Sequence, residues 1–122
     1  MLQPKEILNF AAGLIQSAGR KEIHARQAAA RAYYSVMLLV RDELEIDPNR
    51  SAGGAHAVVK EALRSALQSG RTEPFLRTAY QYWSTLYDDR VTADYKIGEP
   101  FDLAKGDASV HRALEVFRKY EE

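Results

Sequence analysis

The stretch that decides the fold is residues 22–44, EIHARQAAARAYYSVMLLVRDEL, in which no proline or glycine interrupts the chain. Alanines together with Tyr33, Met37 and Val40 make its centre apolar on nearly every side. A helix that is apolar all round is usually buried among other elements. The stretch therefore predicts a long helix at the centre of an all-α fold.

The segments on either side repeat apolar residues at the three-four spacing of amphipathic helices. Proline suits the first turn of a helix and glycine the position after its last turn, so Pro4, Pro74 and Gly70 mark helix boundaries. No segment alternates well enough to be a strand. The predicted helices are residues 4–18, 22–44, 55–69, a helix that begins near Pro74 with Thr72 or Glu73 as its cap, and a last helix capped by Asp107 or Ser109.

A segment rich in helix breakers, EIDPNRSAGG at residues 45–54, separates the second and third predicted helices. The other connections are short, which is typical of antiparallel helical neighbours. A chain of 122 residues also has the commonest size of a single domain. We therefore expect one domain, residues 1–122, folded as an antiparallel bundle of about five helices.

The composition excludes several kinds of site and partner. With 17 basic and 17 acidic residues the chain has no overall charge field, so only a local cluster of bases would bind phosphate. The absence of cysteine excludes disulfides and thiolate chemistry, and it fits a cytoplasmic location. The longest apolar run, YYSVMLLV, is far shorter than the roughly 20 residues of a membrane span, and no signal peptide is recognisable. We expect a soluble protein without a membrane partner.

A charged segment, DDRVTADY at residues 88–95, ends the aromatic face of the fourth predicted helix. Arg90 and Asp94 each lie two helical turns after an aromatic residue, so both charges point where that face points. One interpretation is an intrahelical salt bridge at a helix end. The other is a cleft in which Arg90 binds a phosphate while Tyr95 stacks on a base or donates its hydroxyl.

Two further residues are candidates for a site. His56 opens the third helix after a glycine-rich turn, where it is either a proton-transfer group or an ordinary surface or capping residue. Arg31 lies in the middle of the most apolar helix, so we expect either a structural ion pair with Asp94 or Asp89, or exposure along a seam, where Arg31 and Asp94 would bind substrate. The other two histidines have no metal-ligating neighbours at a suitable spacing, and the chain has no phosphate-binding loop, so we predict neither a metal nor a cofactor.

Two segments resemble motifs of the HEPN-domain family. RAYYSVMLLVRDEL, residues 31–44, is similar to the family's R-A-Y-Y-A helix, and LYDDRVTADY, residues 86–95, is similar to its later L-Y-x-x-R-x-x-A-D-Y segment. The resemblance covers residues 20–120 in order, including a histidine that opens the helix between the motifs. It implies a compact bundle of four to five helices, commonly a homodimer. The density of tyrosines also indicates dimerisation through helix faces.

Many HEPN proteins are metal-independent endoribonucleases of toxin-antitoxin, defence and RNA-processing systems, and they are often encoded beside a minimal nucleotidyltransferase. Their active-site motif is an arginine followed four to six residues later by a histidine. Arg90 stands at the arginine position, but Tyr95 falls where the histidine would be. Arg50 and His56 satisfy the formula, with SAGGA between them, at the start of the third helix instead.

Three functions are open at this point. The first is a dimeric HEPN-like protein that binds RNA or a partner such as a nucleotidyltransferase, with weak or no catalysis. The second is an endoribonuclease toxin in which Arg90 binds the scissile phosphate and His56 or Tyr95 transfers protons. The third is a purely structural interaction module, which predicts that Arg90 and Asp94 form a buried pair with no open cleft beside them.

Overall fold

A computed structural model of the chain describes residues 2–16, 21–47 and 54–122. The all-α class with five helices is confirmed for these residues, and none of their helices is both long enough and apolar enough to cross a membrane. Residues 17 and 18 of the first predicted helix and residues 48–53 of the predicted loop, Arg50 among them, lie outside the described residues. The helices are α1 Pro4–Gln16, α2 Glu22–Glu43, α3 Ala55–Gln68, α4 Pro74–Tyr95 and α5 Leu103–Glu121.

Helix α2 is the central element, as its apolar sequence predicts. It contacts each of the other four helices, and its buried positions include five alanines. Because these side chains are small, the neighbouring helices approach the backbone of α2 closely. The core that α2 shares with its neighbours includes Leu8, Ile15, Val36, Val40, Leu63, Leu76, Trp83, Leu86, Val116 and Phe117.

Helix α5 begins earlier than its sequence predicts. Its N-cap is Asp102, whose Oδ1 accepts a hydrogen bond from the backbone N–H of Lys105 at 2.9 Å. The prediction of Asp107 or Ser109 as the cap is therefore wrong. Both lie within the helix, because its first turns, which contain Gly106, dock against α2 before the apolar pattern of α5 begins.

Helix α4 begins at Pro74, as predicted, and Glu73 is the residue at its cap position. The Glu73 side chain makes no capping hydrogen bond to the helix. Its carboxylate instead accepts hydrogen bonds from the guanidinium of Arg71, at 2.9 Å and 3.0 Å from Nε, which lowers the pKa of Glu73 to about 2. The start of α4 thus depends on the proline and not on a side-chain cap.

The C-terminal end of α4 is held by Arg26, a buried residue of α2. The last carbonyl groups of a helix have no partners within the helix. Arg26 supplies partners from outside, and its Nε also donates to the carboxylate of Glu22 at 2.9 Å. This anchor positions the last turn of α4, which carries Asp94 and Tyr95. The guanidinium donates to the carbonyl oxygens of Thr92 (2.9 Å), Ala93 (3.0 Å), Lys96 (3.4 Å), Ile97 (3.3 Å) and Glu99.

Candidate functional site

An open cleft of about 640 Å³ lies between α2, the start of α3 and the C-terminal half of α4. It brings together candidate residues that are far apart in the sequence: Arg31 from α2, His56 from α3, and the pair Arg90 and Asp94 from α4. Tyr95 is not among the described residues that line it. Much of the remaining wall is aromatic and consists of Tyr33, Tyr34 and Tyr87.

Arg90 is held from two sides by residues of its own helix. Its Nε donates to Oδ2 of Asp94 at 3.1 Å, and its guanidinium lies 5.3 Å from the centroid of the Tyr95 ring. The intrahelical salt bridge that the sequence allows is thus formed. The side chains of Arg90 and Asp94 remain 31% and 30% exposed and line the cleft, whereas a purely structural role predicts a buried pair with no cleft.

Arg31 does not form the ion pair expected from the sequence. Asp94 lies one helical turn from Arg90 and pairs with it, and Asp89 pairs with an arginine of α5 at 3.6 Å. The Arg31 guanidinium instead lies 6.0 Å from the centroid of the Tyr34 ring. No ion pair within residues 2–16, 21–47 and 54–122 includes Arg31, so its charge lines the cleft without a carboxylate partner there.

His56 is enclosed by aromatic side chains from two other helices. Its ring stacks on Tyr87, with the ring centroids 3.5 Å apart. Its Nδ1 lies 2.9 Å from the hydroxyl of Tyr33 and 3.1 Å from Nε1 of Trp83. Because the indole N–H can only donate, Nδ1 must accept, and the neutral imidazole then carries its proton on Nε2. Trp83 therefore fixes the tautomer of His56.

The surroundings of the cleft favour the neutral forms of His56 and Tyr33. Burial lowers the pKa of His56, the charges of Lys60 and Arg90 lower it further, and Asp88 acts weakly in the opposite direction. Burial also raises the pKa of the Tyr33 hydroxyl, against the effect of Arg90. His56 and Tyr33 are therefore both uncharged at neutral pH, and Arg90 is close enough to influence both.

In this state His56 is a hydrogen-bond donor and not a base. Its Nδ1 lone pair already accepts from Tyr33 or Trp83, and its Nε2 carries the proton. A general base needs a free lone pair, and a general acid needs a protonated ring. The other functional groups of the cleft are the guanidinium groups of Arg31 and Arg90, the carboxylate of Asp94 and the tyrosine rings. Guanidinium groups bind phosphates, and aromatic rings stack on unpaired bases.

Two features of this site were not predicted from the sequence. They are the contact between Trp83 and His56, and the hydrogen bonds of Arg26 to the end of α4. Neither contact leaves a local pattern, because the partners lie on different helices. In the described residues, no group of three or more histidine, aspartate or glutamate side chains is arranged to hold a metal ion.

Comparisons of the chain with protein-family models, with curated proteins and with solved structures found no match.

The lowered pKa of His56 predicts that the protein becomes less stable as the pH decreases. Below its ordinary value of about 6.5, the imidazole takes up a proton in the unfolded chain but not yet in the folded one. The free energy of unfolding is therefore highest above pH 6.5, the ordinary pKa of histidine, and decreases as the pH falls towards the lower pKa of folded His56. Urea unfolding at pH 8 and pH 5 should show a smaller decrease in His56→Gln than in the original chain.

The matched control is His111→Gln, because His111 is an exposed histidine whose ion-pair partner within the described residues is Asp107, at 3.6 Å. His111→Gln should lose at least as much unfolding free energy between pH 8 and pH 5 as the original chain does. An equal decrease in the original chain and in His56→Gln would contradict the assignment.

Proposed function

We propose that the chain is a HEPN-like protein that binds single-stranded RNA in this cleft and has weak or no nuclease activity. The observation that carries the proposal is the convergence of Arg31, Arg90 and His56, from three helices, on one cleft with tyrosines in its wall. Arginine suits phosphate recognition, and aromatic rings stack on unpaired bases. The resemblance to two HEPN motifs supports RNA as the ligand and a toxin-antitoxin, defence or other RNA-associated system as the setting.

The geometry of His56 supports weak or absent catalysis. Cleavage of RNA without a metal requires a group that takes the proton of the 2′-hydroxyl and a group that protonates the leaving 5′-oxygen. The neutral ring of His56 has its Nδ1 occupied and its Nε2 protonated. Tyr95 packs against Arg90 and is not part of the described cleft lining.

Binding of a labelled, unpaired RNA of about six nucleotides tests the proposal by fluorescence anisotropy in EDTA. We expect Arg31→Ala and Arg90→Ala each to weaken binding by about 10-fold or more, since each removes a charged hydrogen-bond donor. Each lost phosphate contact should also reduce the slope of log K against log salt by about 0.7.

The control for this measurement is Arg64→Ala. Arg64 is an exposed arginine of α3 that pairs with Glu61 and does not line the cleft. Its replacement should leave binding unchanged. Equal losses in Arg64→Ala and Arg90→Ala would show that any positive charge serves, and would exclude a specific site in the cleft.

The second candidate function is a metal-independent endoribonuclease, which is favoured by the position of His56 and Arg90 in the same cleft. The 2′-oxygen would attack phosphorus, the bond to the 5′-oxygen would break, and a cyclic phosphate and a free 5′-hydroxyl would result. Arg90 would stabilise the developing charge on the phosphate.

Cleavage is tested by incubating the same RNA in EDTA with the original chain, Arg90→Ala, His56→Ala and Tyr95→Phe. Intact RNA in every lane would exclude nuclease activity. Cleavage by the original chain that is lost in Arg90→Ala would exclude the proposal that the protein only binds RNA.

The proposal includes a homodimer and a nucleotidyltransferase-type protein partner, both of which come from the family resemblance. We place Arg90 of the two copies near a shared groove. The exposed tyrosines of α4, Tyr80 and Tyr95, suit such an interface because aromatic side chains are enriched there.

A further inference from the structure

A second groove adjoins the cleft on the other side of Arg31. It lies between α1 and α2 and has a volume of about 670 Å³. Arg31 and Tyr34 line both cavities, so the two share a wall. The remaining lining of this α1/α2 groove is mostly apolar and comprises Leu2, Glu6, Ile7, Phe10, Gln27 and Leu38.

The α1/α2 groove exposes two aromatic side chains to solvent. Phe10 is 60% exposed and Tyr34 is 41% exposed. Covering such rings with another flat apolar surface is favourable. Gln27 lies in the same lining and carries an amide that can both donate and accept a hydrogen bond. These are the groups that hold an unpaired base: rings for its face and an amide for its edge.

The charges around the groove favour a nucleotide over a protein segment. Glu6, the acidic residue of the lining, already accepts a hydrogen bond from the backbone N–H of Gln3 at 2.7 Å. Arg31 has no ion-pair partner within the described part of the chain. An apolar helix docked here would cover the guanidinium and leave its charge uncompensated, at a high cost. A nucleotide brings a phosphate for Arg31 and a ring for Phe10 together.

We propose that the α1/α2 groove is a base-binding subsite that extends the RNA cleft. A phosphate of single-stranded RNA lies at Arg31, and the attached nucleotide places its base against Phe10 and Tyr34, within reach of the Gln27 amide. This inference rests on the proposed RNA-binding function. The subsite adds the α1/α2 groove to the cleft as a second binding surface. The chain then binds at least two successive nucleotides, one on each side of Arg31.

Two probes of equal length test the subsite: a labelled oligouridylate and the same ribose-phosphate backbone without bases. Phe10→Ala should weaken oligouridylate binding by about 5- to 150-fold, the effect of losing one aromatic stacking platform, and should leave the abasic probe unaffected. Phe10→Tyr should bind both probes like the original chain. Arg31→Ala should weaken both probes, because it removes a phosphate contact.

Ile23→Ala is the matched control, since Ile23 is another exposed apolar side chain, at 56%, that lines neither cavity. It should leave binding of both probes unchanged. If the original chain binds neither probe, the RNA function and the subsite both fail. If Arg90→Ala weakens oligouridylate binding and Phe10→Ala does not, only the subsite fails. If Phe10→Ala converts a dimer to a monomer in light scattering, the groove is covered by a second copy of the chain, and the subsite is overturned.

Discussion

Replacing Arg26 with methionine is expected to lower the free energy of unfolding by about 3 kcal/mol or more. Methionine retains length and apolar contact but has no donor. The carbonyl groups at the end of α4, including the buried contact to Ala93, then lose their partners. Each buried polar group left without a partner costs about 1–3 kcal/mol. Urea unfolding followed by circular dichroism gives this difference. Amide hydrogen exchange in residues 96–101 should become faster, because that turn loses its anchor.

Two further variants isolate the effect of the Arg26 contacts. Arg77→Met removes an exposed arginine of α4 that donates to one carbonyl oxygen, that of Thr72 at 3.5 Å. It should change the free energy of unfolding by less than about 0.5 kcal/mol. Arg26→Lys keeps the charge but replaces the planar fork of donors with a single ammonium, so an intermediate loss is expected. Unchanged stability in Arg26→Met would show that water satisfies these carbonyl groups as well as the arginine does.

Replacing Gly106 with alanine is expected to lower the free energy of unfolding by about 2 kcal/mol. This is the opposite of what helix propensity alone predicts, since alanine is favoured over glycine by about 1 kcal/mol in a helix. A Cβ at Gly106 would lie 2.8 Å from both the Cα and the carbonyl oxygen of Ala25. No side-chain rotation relieves a contact with backbone, so α5 would have to move away from α2. Thermal and urea unfolding measure the loss.

Gly13→Ala is the control for the glycine substitution. Gly13 also lies within a helix, α1, but a Cβ there would meet nothing within 4 Å. The substitution should raise the free energy of unfolding by about 0.5–1 kcal/mol, because only the helix propensity changes. If Gly106→Ala were stabilised to the same extent, the close approach of α5 to α2 would be disproved.

Both predictions concern the same part of the molecule, the first turns of α2. The start of α5 packs against Ala25, and the next residue, Arg26, donates hydrogen bonds to the end of α4. A small buried cluster of Ala25, Ala29, Ala93 and Phe101 joins α2, α4 and the segment before α5, and Leu103 at the start of α5 packs against it. Since Asp94 adjoins Ala93 in the last turn of α4, we expect Arg26→Met to weaken the proposed RNA binding as well as to lower stability.

Most of the helices could be predicted from local sequence. The uninterrupted sequence of α2 was sufficient to predict that helix, and Pro74 was sufficient to predict the start of α4. Helix formation and helix boundaries depend mainly on neighbouring residues. The pair of Arg90 and Asp94 was also predictable, since a spacing of four residues fixes their distance on any helix. The start of α5 was not predictable, because its first turns are stabilised by docking on α2 and not by their own apolar pattern.

The composition of the cleft depended on how the helices pack. Within one helix, a rise of 1.5 Å and 3.6 residues per turn determine which side chains meet, so sequence positions were enough for Arg90 and Asp94. Between helices, the distance between two side chains depends on which faces pack together over the whole bundle. That packing leaves Arg31 without its expected partner, directs Trp83 to His56 and brings Arg26 to the end of α4. No local pattern contains these contacts, because each joins residues from separate segments that only the folded core holds together.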